Sequence, residues 1–212
     1  VLGERVHLTN PALFEIMRRG VPVLFLSGTG KLLGSFEPPA EPRALTRMNQ
    51  YQVQGDPNHP TGLLLASKLV QAKISNQRRI LQRLQARRQE FTESESQQLL
   101  NLLAHDSRSA EAAETIDSLR GHEGAAAARY WPAWARYLPE QAPFVVRSTR
   151  PPGNPVNACL SWLSTLVYGE CLTACRLVGL DPAFGHLHAP TEDRWSLPLD
   201  LMEPFRPAVV EA

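Results

Sequence analysis

Apolar residues change along the chain from short strand-like runs to helical spacing. Near the start, Thr9 or Asn10 is expected to cap a helix that has Pro11 in its first turn and ends at Gly20. The apolar run 21–26 that follows is typical of a buried strand. The first segment is therefore expected to combine a helix with strands.

A turn at 27–30 is predicted to lead into a second strand at 31–36. The letters GTGK in this region resemble part of a phosphate-binding loop. That loop would need glycine and serine or threonine where the chain has Phe25 and Leu32, so this interpretation is rejected. The next letters, EPPAEP at 37–42, are rich in proline and mark a candidate domain boundary.

Helical spacing dominates the rest of the chain. Apolar residues at 63–90 recur at intervals close to one helical turn and predict a long helix. Residues 91–108 are expected to be a polar connection, followed by a helix from about Ala110. Another long helix is predicted from Pro155 or Val156 to about Leu177, and a short one begins near 196.

Composition limits the class of protein. With 212 residues and 43% hydrophobic residues, the chain can bury a sizeable core. No apolar run reaches the roughly 18 residues of a membrane span, and no signal peptide opens the chain, so a cytoplasmic protein without a membrane partner is expected. Cys159, Cys171 and Cys175 fall in one predicted helix and are interpreted as core residues rather than as a zinc site.

Charge distribution is more informative than the net charge of +1. Seven basic residues and one acid fill the polar positions of 63–90, whereas a solvated helix face normally mixes both signs. The stretch therefore favours a nucleic-acid surface over an ordinary solvated face. The candidate DNA-binding residues are Lys68, Lys73, Arg78, Arg79 and Arg83.

Three acidic residues and a histidine are candidates for metal binding. Asp200 and Glu203 are three residues apart on the short helix and share one face at the margin of a core, some fifteen residues after His188. An ordinary amphipathic helix would give the same spacing. Glu123 is flanked by small residues that allow a ligand to approach, but Ala126 stands where a zincin motif needs histidine.

The motifs together resemble the CRISPR-associated Cas1 family, the integrases of spacer acquisition. The resemblance rests on four segments in the family's order, GHEGAAAARYW, RPPGNPVNACLSW, GLDPAFGHLH and RWSLPLDLMEPFRP, and on the basic segment ASKLVQAKISNQ. It implies an α+β protein with the end of a small β-rich N-terminal domain at 1–36, a proline-rich linker at 37–45 and a mainly α-helical catalytic domain at 46–212. The β-rich domain is expected to be incomplete, because the resemblance implies that the chain is a fragment.

The resemblance also implies a catalytic metal site. Its ligands would be Glu123 of GxEG, His188 of GxLH and Glu203 of DLxE, with Asp200 as an accessory acid. Two carboxylates and an imidazole suit Mg²⁺ or Mn²⁺, although a zinc enzyme would accept the same set. Arg194 is expected to orient a phosphate bidentately.

The implied function is a metal-dependent DNA nuclease and transesterase that joins prespacer 3′-hydroxyl ends to a CRISPR repeat. The implied partners are DNA, a Cas2 dimer, a second copy of the chain, and Cas4 as a separate or fused protein. The family often has a tyrosine where this chain has Ser164, with Tyr168 one turn later. Two alternatives stay open: a catalytically silent nucleic-acid scaffold, and an unrelated divalent-metal phosphoesterase.

Overall fold

A small sheet and one helix form the first part of the protein. In the computed structural model, strands β1 (Leu2–Gly3), β2 (Val23–Leu26) and β3 (Leu32–Phe36) lie in that order, with β1 parallel and β3 antiparallel to β2. Helix α1 (Asn10–Arg18) begins after Thr9, whose hydroxyl accepts a hydrogen bond from the backbone of the first turn, as predicted. The structure describes residues 2–3, 5–28, 32–37, 42–56, 59–149 and 151–212.

The rest of the described chain is helical. The helices are α2 (Ala44–Gly55), α3 (Pro60–Arg88), α4 (Glu93–Glu111), α5 (Ile116–Ala135), α6 (Pro155–Leu177) and α7 (Ser196–Met202), followed by a π-helical segment (Arg206–Val210). No described helix is long and apolar enough to cross a membrane. The predicted α+β class with a mainly helical second part is confirmed.

The core lies where α3, α4 and α5 pack against one another. Helix α3 is central because its buried side recurs at helical spacing, and Val70 and Ile74 are completely buried. Tyr130 of α5 is the largest fully buried side chain. Burial of this apolar surface is the main force that holds α5 against α3, and it thereby positions Glu123 of α5.

The sheet packs against α6. A Cβ at Gly169 of α6 would lie 2.8 Å from Leu24 Cδ1, so the glycine allows the helix to approach β2 closely. Arg176, further along α6, donates to Glu37 at 3.0 Å. The predicted division into domains stays a prediction. Of the predicted linker, residues 38–41 lie outside the described part, and α2 already begins at Ala44.

The predicted polar connection at 91–108 is wrong. These residues form most of α4, which begins after Thr92 with a capping box: Glu95 N donates to Thr92 Oγ1, and Thr92 N donates to the Glu95 carboxylate. The predicted helix start near Ala110 is also wrong, because α4 ends there and α5 begins after Thr115.

The cysteine prediction is partly wrong. All three cysteines lie on α6 as expected, and Cys171 and Cys175 are buried, but Cys159 is exposed. Burial raises the pKa of the Cys175 thiol to about 12 and that of Cys171 to about 11. These two thiols are therefore core residues, whereas Cys159 is a surface thiol.

Candidate active site

Glu123 lies in the middle of α5, with its side chain 19% exposed. A Cβ at either neighbouring glycine, Gly121 or Gly124, would meet no atom within 4 Å apart from the helix's own turns. The space that the sequence predicted beside this carboxylate is therefore present. Helix packing fixes the position of Glu123, because the next turns of α5 carry the buried residues Ala126 and Tyr130.

Glu203 meets Glu123 across the ammonium group of Lys73. It follows the last residue of α7 and is buried, with its side chain 6% exposed. Lys73 reaches in from α3, and its Nζ lies 2.5 Å from Glu123 Oε1 and 2.5 Å from Glu203 Oε2. Three elements distant in sequence thus bring two predicted ligands to one cation position.

The charges around Glu203 keep it ionised. Burial alone would raise its pKa, but the nearby Lys73 and Arg206 cations outweigh burial and lower the pKa to about 2 from an ordinary value of 4.5. Arg206 Nη1 donates to the other oxygen, Oε1, at 3.0 Å. Each oxygen of Glu203 therefore faces its own cation.

A further carboxylate lies behind this pair. Glu211, near the end of the chain, is 5% exposed, and burial is the main cause of the raised pKa of its carboxyl group. The Arg206 cation acts on it in the opposite direction. Arg206 is therefore shared between the electrostatic surroundings of Glu203 and Glu211, and neither its role nor that of Glu211 was predicted.

Asp200 shapes the loop that carries the predicted histidine ligand. It is completely buried on α7, and its Oδ2 accepts hydrogen bonds from the backbone N–H groups of His186 (2.5 Å) and Leu187 (2.8 Å). Its Oδ1 accepts from the backbone N–H of His188 at 2.9 Å. The carboxylate therefore replaces regular secondary structure as the partner of three consecutive N–H groups.

The same carboxylate orients the His188 ring. Nδ1 of His188 lies 2.7 Å from Asp200 Oδ1. A carboxylate oxygen accepts hydrogen bonds, so Nδ1 is the ring nitrogen that donates to Asp200, and Nε2 is the nitrogen left for another partner. That arrangement is the one in which a histidine binds a metal through Nε2, with a carboxylate behind the ring.

Asp200 and Glu203 were expected to share one helix face at the margin of a core, with Asp200 as the accessory acid, and the structure gives the two carboxylates different surroundings. Both are buried, and they serve different partners: Asp200 holds the 186–188 loop, whereas Glu203 faces Lys73 and Arg206. The three-residue spacing predicted that both acids share one face of a short helix. It could not show that Glu203, just after the end of α7, faces Lys73 of α3.

Arg120 connects the histidine loop to α5 and was missed by the sequence analysis. Its guanidinium donates through Nε (3.1 Å) and Nη2 (2.6 Å) to the carbonyl oxygen of Leu187, which is joined to His188. Arg120 lies three residues before Glu123, so both residues project from adjacent turns of one side of α5. That spacing within LRGHEG was the available signal.

The residues fit a divalent cation in charge and donor chemistry. Glu123 and Glu203 already converge on the positive charge of Lys73. Carboxylate oxygens with one imidazole nitrogen suit Mg²⁺ or Mn²⁺. The described residues contain no cluster of three or more His, Cys, Asp or Glu side chains with metal-binding geometry, so His188 does not complete the carboxylate pair in this structure.

The predicted DNA-binding residues do not share one face of α3. Lys68, Arg79 and Arg83 are exposed and lie within about 60° of one another around the helix axis. Arg78 projects from another side and donates to the carbonyl oxygen of Leu100 at 2.9 Å, which ties α3 to α4. The Lys73 side chain is 13% exposed and lies between the carboxylates of Glu123 and Glu203.

Arg194 lies in the loop after the histidine. It is exposed, and its Nη2 donates to the carbonyl oxygen of Ala189 at 3.4 Å. Ser196 Oγ donates to the same oxygen at 3.0 Å. Phosphate binding by Arg194 stays a prediction.

Comparisons with known proteins agree with the motifs. The family model described as CRISPR associated protein Cas1 matches residues 1–212. A Cas4/Cas1 fusion of Geobacter sulfurreducens is 39% identical over 97% of this chain and 37% of its own length. A Cas1 endonuclease of Archaeoglobus fulgidus is 33% identical over the whole chain and 64% of its own length. The chain thus spans between about a third and two thirds of these relatives.

Solved structures share the fold. A structure described as a casposase bound to integration product has a TM-score of 0.78 and 27% identity, and the match covers 96% of this chain and 55% of that one. A partial Cas6-RT-Cas1–Cas2 complex gives a TM-score of 0.73 at 28% identity, over 96% of this chain and 61% of that one. Sequence and fold agree over nearly the whole chain, which therefore belongs to the Cas1 family of CRISPR-associated proteins.

Proposed function

We propose that the protein is the catalytic part of a CRISPR adaptation integrase that joins prespacer DNA to a CRISPR repeat. The observation that carries the proposal is the convergence of Glu123 and Glu203 on one cation position, in a member of the Cas1 family. The similarity to a casposase bound to integration product supports the reaction class, since the molecule bound in that structure is described as a product of integration.

The proposed reaction is a transesterification. The 3′-hydroxyl oxygen of the prespacer forms a bond to a phosphorus atom at the edge of the repeat and loses its proton. The P–O3′ bond of the repeat strand breaks, and the departing 3′-oxygen takes up a proton. The number of phosphodiester bonds is unchanged, so the reaction needs no external energy source. In the reverse reaction the freed 3′-hydroxyl of the repeat attacks the new bond and releases the prespacer, whereas nuclease cleavage uses water as the attacking group.

Mg²⁺ or Mn²⁺ is the proposed cofactor, held by Glu123, Glu203 and His188. When bound, a divalent ion at this position would lower the pKa of the attacking hydroxyl and stabilise the charge of the transition state. The chain's own residues prepare the site. Lys73 and Arg206 keep Glu203 ionised, and Asp200 accepts a hydrogen bond from Nδ1 of His188, which leaves Nε2 as the nitrogen available to a metal.

The exposed basic side of α3 is proposed to bind the DNA backbone. Arg79 and Arg83 are exposed there, and each phosphate contact should contribute about 0.9 to the slope of log K against log salt concentration. Changing both residues to glutamine should therefore flatten the slope by about 1.8. Arg18→Gln on α1, a residue whose side chain is 72% exposed, is the matched control. An unchanged slope in the double variant would mean that the face is only solvated.

The proposed partners follow from the relatives. The Cas6-RT-Cas1–Cas2 assembly supports association with Cas2, and the Cas4/Cas1 fusion supports a connection with Cas4. That Cas2 takes part as a dimer is proposed from the family resemblance. Pairing with a second copy of the chain is proposed from the family resemblance.

A strand-transfer assay tests the function. Labelled duplex with free 3′-hydroxyl ends should join a repeat-bearing plasmid in Mn²⁺ and not in chelator. Glu123→Gln and Glu203→Gln should each reduce joining by at least about a thousandfold, because each removes a charged ligand at the reacting centre. Glu111→Gln, an exposed residue on α4, is the matched control and should join normally. Joining by either site variant would remove that residue from the proposed site.

The assay also separates the alternative of a silent scaffold. Scaffold function would appear as salt-dependent DNA binding without joining, both with Mn²⁺ and after addition of the Cas2 protein.

A further inference from the structure

Lys73 is unusual among the basic residues of α3 because it is enclosed by acids. Its side chain is 13% exposed, and those of Glu123 and Glu203 are 19% and 6% exposed. Nζ is 2.5 Å from an oxygen of each carboxylate. By contrast, Lys68, five residues earlier on the same helix, has a 58% exposed side chain and pairs with the exposed Glu111 at 3.1 Å. The two lysines provide a buried case and an exposed case on one helix.

The ammonium group is charged in this position. Its Nζ lies 2.5 Å from one oxygen of each carboxylate, and opposite charges at such a distance favour the charged form of an amine. Lys73 therefore supplies the positive charge without which two largely buried carboxylates would repel each other.

The oxygens that face Lys73 are the same oxygens that a metal ion would use. Arg206 occupies Glu203 Oε1, so Oε2 is the oxygen turned toward Glu123. Lys73 lies on this inner side, in contact with Oε2 of one acid and Oε1 of the other. A divalent ion bound to the inner oxygens would occupy the place of the ammonium group, since two cations at one pair of carboxylate oxygens repel each other strongly.

We propose that Lys73 is the internal counter-cation of this site: its ammonium group holds Glu123 and Glu203 together in the absence of a divalent ion and withdraws when the ion binds. This inference rests on the proposed function, because it requires that a metal binds there. The side chain can make the movement, since lysine carries its charge on a flexible four-carbon stem. Lys73 then positions the two carboxylates before metal binding. The free energy needed to displace its ammonium group lowers the affinity of the site for metal.

Charge balance favours exchange over simple addition. Glu123 and Glu203 with Arg206 carry one net negative charge, and Lys73 neutralises it. A divalent ion added beside Lys73 would leave two excess positive charges, whereas a divalent ion in place of Lys73 leaves one, near the buried carboxyl group of Glu211.

The ammonium group that leaves would be exposed at the edge of the site, where it could meet a DNA phosphate. The predicted role of Lys73 in DNA binding would then apply to the metal-loaded protein.

Amine labelling of the unmodified protein tests the exchange directly. The sequence contains three lysines, Lys31, Lys68 and Lys73, so peptide mass spectrometry can follow each one separately. A short pulse of acetic anhydride should label Lys73 slowly in chelator and at least about fivefold faster in saturating Mn²⁺, because an ion-paired buried amine becomes a solvated one. Labelling of Lys68 should be the same in both conditions.

Mn²⁺ binding should be measured in parallel by electron paramagnetic resonance. If Mn²⁺ binds and the Lys73 labelling rate stays unchanged, the inference is overturned while the proposed metal site survives. If Mn²⁺ does not bind, both the inference and the proposed metal dependence are overturned.

A Lys73→Met variant gives a second test. Without the competing ammonium group it should bind Mn²⁺ at least about tenfold more tightly, the lower end of the effect of one adjacent like charge. Without metal it should be less stable than the Lys68→Met control, and Mn²⁺ should restore the difference. Equal or weaker Mn²⁺ affinity in Lys73→Met would overturn the inference. The labelling experiment remains decisive if this variant does not fold.

Discussion

Replacing Asp200 with asparagine should damage the histidine loop severely, although the change removes only one charge. Asp200 accepts four hydrogen bonds: two at Oδ2, from the backbone of His186 and Leu187, and two at Oδ1, from the backbone and the ring of His188. An asparagine offers one oxygen and one NH₂ group. Turned one way, the NH₂ group faces the backbone N–H groups of His186 and Leu187, so two donors lose their acceptor. Turned the other way, it faces the backbone N–H of His188 and the His188 ring. Because Nδ1 becomes an acceptor when the ring changes tautomer, only the backbone donor then loses its acceptor.

The magnitude follows from burial. Asp200 is completely buried, so water cannot replace the lost acceptor. A buried donor without a partner costs about 1–3 kcal/mol, so the free energy of unfolding should fall by about 1–3 kcal/mol in the second orientation and by about 2–6 kcal/mol in the first. For a protein of this size, each kcal/mol lost corresponds to a decrease of about 2–4 °C in Tm.

Equilibrium unfolding in guanidinium chloride, with chelator present, measures the loss. The matched control is Asp117→Asn, since the Asp117 side chain is 93% exposed and forms only a surface ion pair with Arg120. The control should lose less than about 1 kcal/mol. Nitrogen chemical shifts of His188 in the unmodified protein give a second readout, and they should show a proton on Nδ1.

A loss below about 1 kcal/mol in Asp200→Asn would refute the reasoning, because it would mean that the four donors do not depend on this carboxylate. A His188 ring that carries a proton on Nε2 and none on Nδ1 in the unmodified protein would refute the proposed orientation of the ring independently of stability.

Three further results are expected. Gly185→Ala should lower the free energy of unfolding by about 1–3 kcal/mol, because the new Cβ would lie 2.7 Å from Asp200 Oδ2. Gly121→Ala, where the new Cβ meets nothing within 4 Å, should be neutral or stabilising. Equal unfolding midpoints for the two variants would contradict this expectation. Iodoacetamide at pH 8 should modify the exposed Cys159 and spare the buried Cys175, whose thiol pKa is about 12. Equal rates of modification of the two cysteines, measured by mass spectrometry, would show that α6 is not packed as described. The pKa of Glu203 is about 2 in the folded protein and about 4.5 in the unfolded chain. About 3 kcal/mol of stability that is present above pH 4.5 should therefore be lost as the pH falls toward 2. Glu203→Gln should lack that component of the acid titration.

The helices with clear start signals and apolar periods could be predicted from the sequence. Helix α6 begins at Pro155 after the capping residue Asn154, and α3 repeats its apolar residues at helical spacing over its whole length. Helix α4 was missed because its first two turns are polar. Its start is encoded by the Thr92–Glu95 capping box rather than by hydrophobic spacing.

Family motifs identified the residues of the candidate site, but the sequence could not divide their roles. Asp200 and Glu203 are three residues apart, yet one ends among backbone N–H groups and the other at a lysine from α3. These partners are set by tertiary packing across 13 residues in one case and across 130 residues in the other, and no local pattern reports such contacts. The same limit explains Lys73, whose charge suggested DNA while its burial places it between two acids.

Anomalous diffraction at the manganese edge, from crystals of the protein grown with Mn²⁺, tests the central claim most directly. We expect one strong peak in direct coordination with Glu123, Glu203 and His188, with the Lys73 ammonium displaced from its position between the two carboxylates. A peak that avoids these three side chains, or an unchanged Lys73 between Glu123 and Glu203 at saturating Mn²⁺, would contradict the proposal that this cluster binds the catalytic metal.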